Sequence, residues 1–239
     1  MKAMILAAGL GKRLRPLTDT TPKALVPLRG KPMLEHLLLK LKAAGFNEIT
    51  INIHHLGEQI LAFLKANGNF GLTIHVSDER NYLLDTGGGI KQAAEFLSGR
   101  EPFLVHNVDI LSDVDLGAFY RSHRKEAGVL ATLLVDSRNS VRSLFFDAHD
   151  RLCGWQNKET GEIRSFYPDF SPEAYTPYTF GGVHMVSPRI FELMEEWTGR
   201  FSIVDFYLSV CIRLPIRSYR SPGSVLVDVG KPETLALFR

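Results

Sequence analysis

The first residues that could do chemistry lie near the amino terminus, in the stretch AAGLGKRLRP. Gly9 and Gly11 follow an apolar run there, and the cationic side chain of Arg13 stands just beyond them. Glycine lets a backbone approach a ligand closely, and consecutive amides from Ala8 onward can donate hydrogen bonds to an anion. Because Arg13 and Lys23 add full positive charges, the stretch predicts a binding site for a polyphosphate.

Two well-known phosphate-binding motifs do not fit this stretch. The dinucleotide fingerprint G-x-G-x-x-G needs a third glycine where the chain has Leu14. The Walker loop needs four residues between its glycines and then Lys-Ser or Lys-Thr, whereas only Leu10 separates the two glycines here and Lys-Arg follows. Leu14 therefore argues against a nicotinamide-dependent oxidoreductase.

The elements that must position these residues alternate between strands and helices. The apolar pattern of the first half predicts strands at 2–7, 48–53, 72–76 and 101–109, with helices at 32–44, 57–68 and 90–97. Such alternation indicates an α/β fold with a doubly wound, mainly parallel mixed sheet, whose ligands bind beyond the carboxyl ends of the strands. The glycine stretch and Asp109 each follow a predicted strand end, so we expect both to face one crevice.

The pattern changes after a predicted strand at 129–135. The second half is predicted to contain a hairpin at 143–155, an irregular surface loop over the site at 160–179, a strand at 180–188, a helix at 188–197, a helix starting at 202–205, and a closing strand and helix within 224–238. No linker or repeat interrupts the chain. We therefore predict a single domain over 1–239, with a core at 1–135 and a small β-rich elaboration at 136–239.

Composition excludes several classes of partner. The chain has 28 Lys and Arg against 26 Asp and Glu, a net charge of +2 that lacks the excess expected of a nucleic-acid-binding protein. Cys153 and Cys211 lie far apart in sequence, which favours neither a disulfide framework nor a zinc site. No segment reaches the roughly 18 uninterrupted apolar residues that a membrane helix needs. We expect a cytoplasmic protein without nucleic-acid or membrane partners.

The motifs A-A-G-x-G-x-R-L-x-P-L-T, P-K-A-L-V-P and G-K-P-M together resemble the opening of the sugar-1-phosphate nucleotidyltransferases, also called NDP-sugar pyrophosphorylases. Further family motifs recur at LDTGGGI, HNVDI, FGGVH and DVGKPE, so the resemblance spans nearly the whole chain. Short bacterial members are the most similar, namely the N-acetylmuramate-1-phosphate uridylyltransferases and the mannose- or heptose-1-phosphate guanylyltransferases. The resemblance implies a Rossmann-like nucleotidyltransferase fold, with 1–135 binding nucleotide and 136–239 binding sugar.

The implied reaction joins a nucleoside triphosphate and a sugar-1-phosphate into an NDP-sugar, with release of pyrophosphate. The resemblance assigns Arg13 to the β- and γ-phosphates and Lys23 to the α-phosphate region. It assigns Asp109 and Asp228 to Mg²⁺, which suits carboxylates completed by phosphate oxygens and water. The alternative is a noncatalytic regulatory protein that binds a nucleotide sugar, although such a protein need not keep both cations and both carboxylates.

The resemblance also implies residues that contact the rest of the two substrates. The nucleotide set is Ala8, Gly9, Gly11, Gly87, Gly88 and Asn107, and the sugar-phosphate set is Asp85, Lys158 and Gly182. Three of these have structural alternatives. Asp85 could instead cap a helix, Gly182 could form a β-bulge, and Lys158 lies in WQNKET, which matches the family's Glu-Lys-Pro only faintly.

One departure from the family pattern is Val108, which stands where Asn-Gly-Asp usually has glycine. Valine restricts the backbone and adds bulk, so the departure bears on the ribose pocket and the base more than on the carboxylate beside it. The residues leave open which of UTP, GTP, CTP, dTTP or ATP is used, and which sugar. Homo-oligomerisation is also left open, and a role in making cell-envelope polysaccharide precursors is an expectation from the family.

Overall fold

A computed structural model describes residues 1–238. In chain order its strands are β1 (Lys2–Leu6), β2 (Pro27–Leu28), β3 (Lys31–Pro32), β4 (Glu48–Ile53), β5 (Thr73–Asp78), β6 (Phe103–Asn107), β7 (Ile110–Ser112), β8 (Ala131–Asp136), β9 (Arg142–Phe146), β10 (Leu152–Asn157), β11 (Ile163–Arg164), β12 (Thr176–Val186), β13 (Ile216–Tyr219) and β14 (Leu226–Asp228). Its α-helices are α1 (Leu17–Thr20), α2 (Met33–Ala43), α3 (Gly57–Ala66), α4 (Asp85–Gln92), α5 (Ala94–Leu97), α6 (Leu116–Lys125), α7 (Ile190–Leu193), α8 (Ile203–Val210) and α9 (Pro232–Ala236). Within this part of the chain, no helix is long and apolar enough to cross a membrane.

The central sheet is parallel around β1. That strand pairs in parallel with β4 on one side and β6 on the other, and β4 pairs in parallel with β5. Beyond β6 the long strand β12 runs antiparallel and connects the sheet to β8 and to the β9–β10–β11 ribbon, while β13 pairs in parallel with β8. The predicted α/β fold with a mixed, mainly parallel central sheet is confirmed.

Helices cover both faces of the sheet, and the side chains of β1 divide between two cores. Ala3 and Ile5 belong to one core, with Leu41 of α2, and Met4 between them belongs to the other, with Phe206 of α8. Successive side chains of a strand point to opposite faces, so a strand buried on both sides needs a continuous apolar run. This explains the unbroken run that precedes the glycine stretch.

Helix α6 and strand β13 are among the elements of the described chain that were not predicted from the sequence; α1, β2, β3 and β7 are others. Helix α6 begins where the Asp115 carboxylate accepts the Ala118 amide at 2.9 Å, and only four of its ten residues are buried. Strand β13 has one fully buried residue, Ile216. The four buried residues of α6 have the i, i+3, i+4, i+7 spacing of an amphipathic helix, so the local signal was present and was missed. Strand β13 is short and mostly partly exposed, and its pattern is weak.

The predicted loop at 160–179 is partly ordered and lies elsewhere than expected. It contains β11 and a short 3₁₀ turn at 172–174. Its Phe170 ring packs edge-on against Phe145, at 5.6 Å between ring centroids, and fills the space beside Gly154. The loop therefore covers the β9–β10 hairpin, and it contributes no side chain to the cleft described below.

Candidate active site

A cleft of about 300 Å³ opens where the parallel strands β1, β4 and β6 end at their carboxyl termini. Its lining consists of Leu6, Ala8, Gly9, Arg13, Lys23, Asn52, Glu79, Leu83, Asp85, Thr86, Asn107, Asp109 and Arg200. A second cavity, of about 240 Å³, lies between α3 and β5 and has mostly apolar walls, with Lys65 as its charged residue. The first cleft is therefore the candidate site, in agreement with the predicted crevice.

Four charged side chains meet at one end of the cleft. The Arg13 guanidinium lies 3.1 Å from an oxygen of Asp228 and 3.5 Å from Oδ2 of Asp109. The Lys23 ammonium pairs with the same Oδ2 of Asp109. The structure thus brings together the two cations and the two carboxylates that the sequence singled out. We call these residues, Arg13, Lys23, Asp109 and Asp228, the charge cluster.

A short two-stranded ladder brings the distant carboxylates together. Strand β7 pairs antiparallel with β14, which places Asp228 opposite Ile110. The Val229 amide then donates to the Asp109 carbonyl oxygen at 2.9 Å and fixes the two chain segments side by side. Because this contact joins residues far apart in sequence, no local pattern could predict it.

Gly230 leaves the room that the charge cluster needs. A Cβ atom at this position would lie 2.9 Å from nitrogens of both Arg13 and Lys23, and closer still to Oδ2 of Asp109. The Gly230 amide also donates to Oδ1 of Asp228 at 2.9 Å. Gly230 belongs to the motif DVGKPE but was not predicted as a site residue. A glycine two residues after a candidate metal ligand was the available signal.

The surroundings of Asp228 hold its carboxyl group in the ionised form. Burial by itself would raise the pKa, but the Gly230 amide and the positive charges of Arg13 and Lys23 outweigh it, so the pKa is lowered from its ordinary value. An ionised carboxylate is the form that can hold a divalent cation. Within residues 1–238 no group of three or more His, Cys, Asp and Glu could hold a metal ion alone.

The glycine stretch owes part of its shape to neighbouring side chains. Gly11 has φ +61°, and a Cβ there would lie 2.7 Å from Cγ2 of Thr18, whose hydroxyl donates to the Gly11 carbonyl at 2.9 Å. Gly9 lines the cleft and has open space around it. The Ala8 amide, expected to face an anion, instead donates to Oδ1 of Asn52 at 3.2 Å. Ala8 still lines the cleft.

Asn52 and Glu79 form a buried polar pair that the sequence analysis missed. Asn52 is the last residue but one of β4 and Glu79 directly follows β5, and the two are only 3% and 2% exposed. The Asn52 amide nitrogen donates to Oε1 of Glu79 at 2.7 Å, and burial raises the pKa of Glu79 above its ordinary value. The available signal for Asn52 was a polar side chain inside the β-branched run EITINI.

The three glycines of LDTGGGI, Gly87 to Gly89, directly precede the helix predicted at 90–97. In the structure this glycine triplet lies inside helix α4. The amides of Gly87 and Gly88 donate to the Phe201 carbonyl at 2.9 and 3.3 Å. A Cβ on Gly87 would lie 2.5 Å from carbons of the Phe201 ring, and one on Gly88 would lie 2.5 Å from the Gly199 carbonyl oxygen. Neither glycine lines the cleft, so the structure explains both by close packing. Their nucleotide contact stays a prediction.

Asp85 stands at the start of α4 and at the wall of the cleft. Its backbone has φ +63°, and its carboxylate accepts the amide of the next residue, Thr86, at 2.7 Å. The start of α4 has no side-chain capping bond, so the structure does not show the helix cap weighed as the alternative role of Asp85. The Thr86 hydroxyl accepts the Ile203 amide, and the Arg200 guanidinium lies 3.9 Å from Asp85. The expected sugar contact of Asp85 stays a prediction.

Asn107 and Gly182 meet beside the cleft. Gly182 has φ +71° and lies where the pairing of β12 with β8 changes register, so the β-bulge weighed as its alternative is present. A Cβ on Gly182 would lie 2.6 Å from the Asn107 amide nitrogen. Val108 is buried in the core, so its bulk points away from the cleft and leaves Asp109 in place.

Lys158 is not brought to the site. It lies exposed in the turn after β10, and its amide donates to the Val141 carbonyl at 2.8 Å. Among residues 1–238 its ammonium has no hydrogen-bond or ion-pair partner, and it does not line the cleft. The sugar-phosphate contact expected of Lys158 stays a prediction.

Comparison with known proteins points in one direction. The family described as "Nucleotidyl transferase" matches residues 2–143 of the chain. The chain is 47% identical over 242 residues to an N-acetylmuramate alpha-1-phosphate uridylyltransferase of Caulobacter vibrioides, covering 97% of this chain and 92% of that protein. A protein of the same name from Neisseria meningitidis serogroup B is 51% identical over 122 residues, which cover 51% of this chain and 52% of that protein.

More distant proteins share the architecture. A UTP--glucose-1-phosphate uridylyltransferase of Synechocystis sp. is 40% identical over 82% of the chain, and the match spans 51% of that protein's length. HddC from Yersinia pseudotuberculosis, solved with GMP-PN, superposes with a TM-score of 0.76 at 22% identity, covering 99% of this chain and 97% of that one. An inositol-1-phosphate CTP transferase from T. maritima gives a TM-score of 0.74 at 18% identity, covering 98% and 90%. At these identities the two structures support the fold alone.

Proposed function

The chain belongs to the nucleotidyl transferase family, and we propose that it is a uridylyltransferase that joins UTP to N-acetylmuramate α-1-phosphate. The coarser activity is that of the curated relatives named above, which are transferases of nucleotides to sugar-1-phosphates. The chain is accordingly an enzyme that forms an NDP-sugar and pyrophosphate. The choice of uracil and of N-acetylmuramate is supported by two relatives of that name, one of them matched along 97% of the chain.

The observation that carries the proposal is the charge cluster at the carboxyl ends of the strands. The attacking oxygen of a sugar-1-phosphate is already an anion, so the reaction needs no strong base. The barrier lies in bringing two anions together and in stabilising charge on the leaving pyrophosphate. Arg13 and Lys23 supply two positive charges for this task, and the two carboxylates beside them provide oxygen ligands.

The residues of the charge cluster fit Mg²⁺. Asp109 and Asp228 offer hard oxygen donors, both approach the same Arg13 side chain, and Gly230 keeps the space beside them clear of any side chain. Magnesium commonly takes one or two carboxylates and completes its shell with substrate phosphates and water. When bound, it supplies a Lewis acid that neutralises phosphate oxygens as the α-phosphate is transferred.

Arg13 and Lys23 can pair either with the two carboxylates of the charge cluster or, in the proposed complex, with phosphate groups. Without substrate, Arg13 and Lys23 pair with the two carboxylates. In the proposed complex the Arg13 guanidinium turns to the β- and γ-phosphates, which its 52% exposed side chain leaves it free to do. Lys23 is more enclosed, at 14% exposure, and binds the α-phosphate region.

Further parts of the proposal rest on the family alone. Binding of nucleotide by 1–135 and of sugar by 136–239 stays a prediction, as do a cytoplasmic location and a role in cell-envelope precursors. The regulatory alternative, a noncatalytic protein that binds nucleotide sugar, gains no support from the relatives named above, which carry the names of transferases.

The proposal is tested by pyrophosphate release from each of five nucleoside triphosphates against a panel of sugar-1-phosphates. The panel includes the 1-phosphates of N-acetylmuramate, N-acetylglucosamine, glucose and mannose, with a chelator added in a parallel series. We expect the fastest release with UTP and N-acetylmuramate 1-phosphate and none with the chelator. No turnover with any pair, together with tight binding of an NDP-sugar, would instead favour the regulatory alternative.

A further inference from the structure

The two walls of the cleft are connected by one buried pair of side chains, Asn52 and Glu79. On one side, Oδ1 of Asn52 accepts the amides of Ala7 and Ala8, at 2.6 and 3.2 Å. On the other side, Oε2 of Glu79 accepts the Leu84 amide at 3.0 Å. Between them, the Asn52 nitrogen donates to Oε1 of Glu79 at 2.7 Å. The pair thus spans the cleft floor from the glycine stretch to the opposite loop.

The chemical identity of each side chain is set by its partners. Two amide donors face position 52 from one direction and a carboxylate acceptor faces it from the other, so the side chain must accept on one side and donate on the other. An asparagine amide does both in a single orientation. Each of the two oxygens of Glu79 accepts one hydrogen bond, from the Asn52 nitrogen and from the Leu84 amide. An ionised carboxylate can accept at both oxygens, so it satisfies both donors.

The space around the pair is also fixed. A Cβ on Gly89 of α4 would lie 2.6 Å from Oε1 of Glu79 and 3.0 Å from the Asn52 nitrogen, so only glycine lets the helix approach this closely. His54 adds a further contact, through its Nδ1, to the Glu79 carbonyl oxygen at 2.6 Å. Neither Asn52 nor Glu79 contacts the charge cluster, so the pair has no part in neutralising phosphate.

We propose that Asn52 and Glu79 are positioning residues that hold the glycine stretch at a fixed distance and orientation from the 83–86 wall, and so set the affinity of the cleft for the nucleotide. The inference rests on the proposed function, because the ligand is the nucleoside triphosphate of that reaction. The amides of Ala7 and Ala8 lead directly into the stretch that carries Arg13. A shift of about 1 Å in such a support costs substantial binding or rate, because preformed geometry contributes much of the affinity of a polar site.

Two single substitutions break the pair in different ways. Asn52→Asp places a second carboxylate oxygen against Oε1 of Glu79, where the structure has a donor. Glu79→Gln turns its amide NH₂ toward either the Leu84 amide or the Asn52 nitrogen, and both of these are donors. Each change makes two hydrogen-bond acceptors or two donors face each other at a buried position. We therefore expect each to raise the dissociation constant for UTP by about tenfold or more.

The double variant Asn52→Asp with Glu79→Gln restores the pattern with donor and acceptor exchanged. The new carboxylate accepts the amides of Ala7 and Ala8 with one oxygen and the new amide NH₂ with the other, and the amide oxygen accepts the Leu84 amide. All four hydrogen bonds return, and the net charge is that of the natural chain. We expect the double variant to bind UTP within about threefold of the natural chain, a strong departure from additivity.

The measurement is calorimetric titration of each full-length variant with UTP and Mg²⁺ in the absence of sugar phosphate, alongside melting temperatures. The exposed pair of changes Asn139→Asp and Glu196→Gln, made singly and together, provides the matched control and is expected to leave UTP binding unchanged. The KM for the sugar-1-phosphate is followed in parallel, because the 83–86 wall that Glu79 holds also carries Asp85, for which a sugar contact is predicted.

Two results would overturn the inference. If the double variant binds UTP as weakly as the sum of the single effects, the two residues act separately, as they would if Glu79 contacted the base itself. If the single variants melt earlier but bind UTP normally while folded, the pair is merely structural. The proposed function fails separately: a natural chain that turns over no sugar-1-phosphate can still show the UTP-binding pattern of the pair.

Discussion

The two ends of the cleft are held together by different interactions, ion pairs at one end and buried hydrogen bonds at the other. At the charge cluster, two cations face two carboxylates, and the Arg13 side chain is 52% exposed. At the other end, Asn52 and Glu79 are almost fully buried and held by hydrogen bonds to backbone amides. Partly exposed ion pairs contribute little stability and exchange readily, whereas buried hydrogen-bonded groups are costly to disturb. Arg13 can therefore exchange partners with a ligand, whereas the enclosed Lys23–Asp109 pair and the Asn52–Glu79 pair are held more firmly.

A glycine beside the charge cluster and one outside the cleft differ in what they leave room for. Gly230 leaves room for charged groups of the charge cluster, whereas Gly87 leaves room for the aromatic ring of Phe201. A methyl group at the first position disturbs groups assigned to the reaction, while one at the second disturbs packing between helix α4 and the segment before α8. We therefore expect Gly230→Ala to lower the reaction rate and Gly87→Ala to lower the free energy of unfolding.

The largest effect is expected from Asp109→Asn. The substitution removes a charge that pairs with both Arg13 and Lys23 and that is assigned to Mg²⁺. We expect kcat to fall by about 10³-fold, the scale seen when a group that stabilises transferring charge is lost. Initial rates of pyrophosphate release at saturating substrates measure this, with the exposed Asp169→Asn as control. A rate within tenfold of the natural chain would remove Asp109 from the reaction.

The next effect is expected from Gly230→Ala. The added methyl group would lie 2.9 Å from nitrogens of Arg13 and Lys23 and would force the charge cluster apart. We expect kcat to fall by about 10²-fold with little change in melting temperature. Gly117→Ala in α6 is the matched control, because the added methyl there meets only the ends of two side chains, at 3.2 Å. Full activity of the Gly230 variant would show that the cluster tolerates displacement.

Gly87→Ala is expected to act on stability. Its methyl group would overlap the Phe201 ring, at 2.5 Å, and overpacking of this kind lowers the free energy of unfolding by about 1–3 kcal/mol. Chemical denaturation measures the loss, and Phe201→Ala in the same chain should reduce the additional loss caused by the methyl group. Unchanged stability with weakened nucleotide binding would contradict the packing account and favour the nucleotide contact predicted from the sequence.

The smallest effect concerns pH and lies outside the cleft. Burial lowers the pKa of His123 to about 4, from an ordinary value of 6.5. As the pH falls below 6.5 the unfolded chain takes up this proton before the folded chain does, so stability falls with decreasing pH. The loss is at most about 1.4 kcal/mol per pH unit between 6.5 and 4. Urea denaturation of His123→Asn at pH 7 and 5 should show a smaller pH dependence, and the exposed His149→Asn an unchanged one.

Much of the fold was predictable because its information is local. The predicted strand at 48–53 and helix at 32–44 follow from apolar runs and periods, and the structure has them at Glu48–Ile53 and Met33–Ala43. The glycine triplet misled the prediction, because a local rule assigns glycines to loops while burial against residues 199–201 decides here. Helix α6 was missed although its four buried residues have the spacing of an amphipathic helix, which is a local signal.

The site was predictable only in part, and for a different reason. Asp109 and Asp228 were paired through the family resemblance, since the β7–β14 contact that joins them crosses more than a hundred residues. Asn52, Glu79 and Gly230 were missed because their roles depend on neighbours that the sequence does not bring into view. Lys158 matched a motif only faintly, and the structure leaves it in an exposed turn.

The reaction proposed for the charge cluster is transfer of the uridylyl group of UTP to a sugar-1-phosphate. The most direct measurement follows UTP labelled at the α-phosphorus, incubated with N-acetylmuramate 1-phosphate and Mg²⁺. The account predicts that the natural chain moves the label into the UDP-sugar and that Asp228→Asn does so at least about a hundredfold more slowly. Label that stays in UTP with every sugar-1-phosphate offered, or that moves equally fast in the variant, would contradict it.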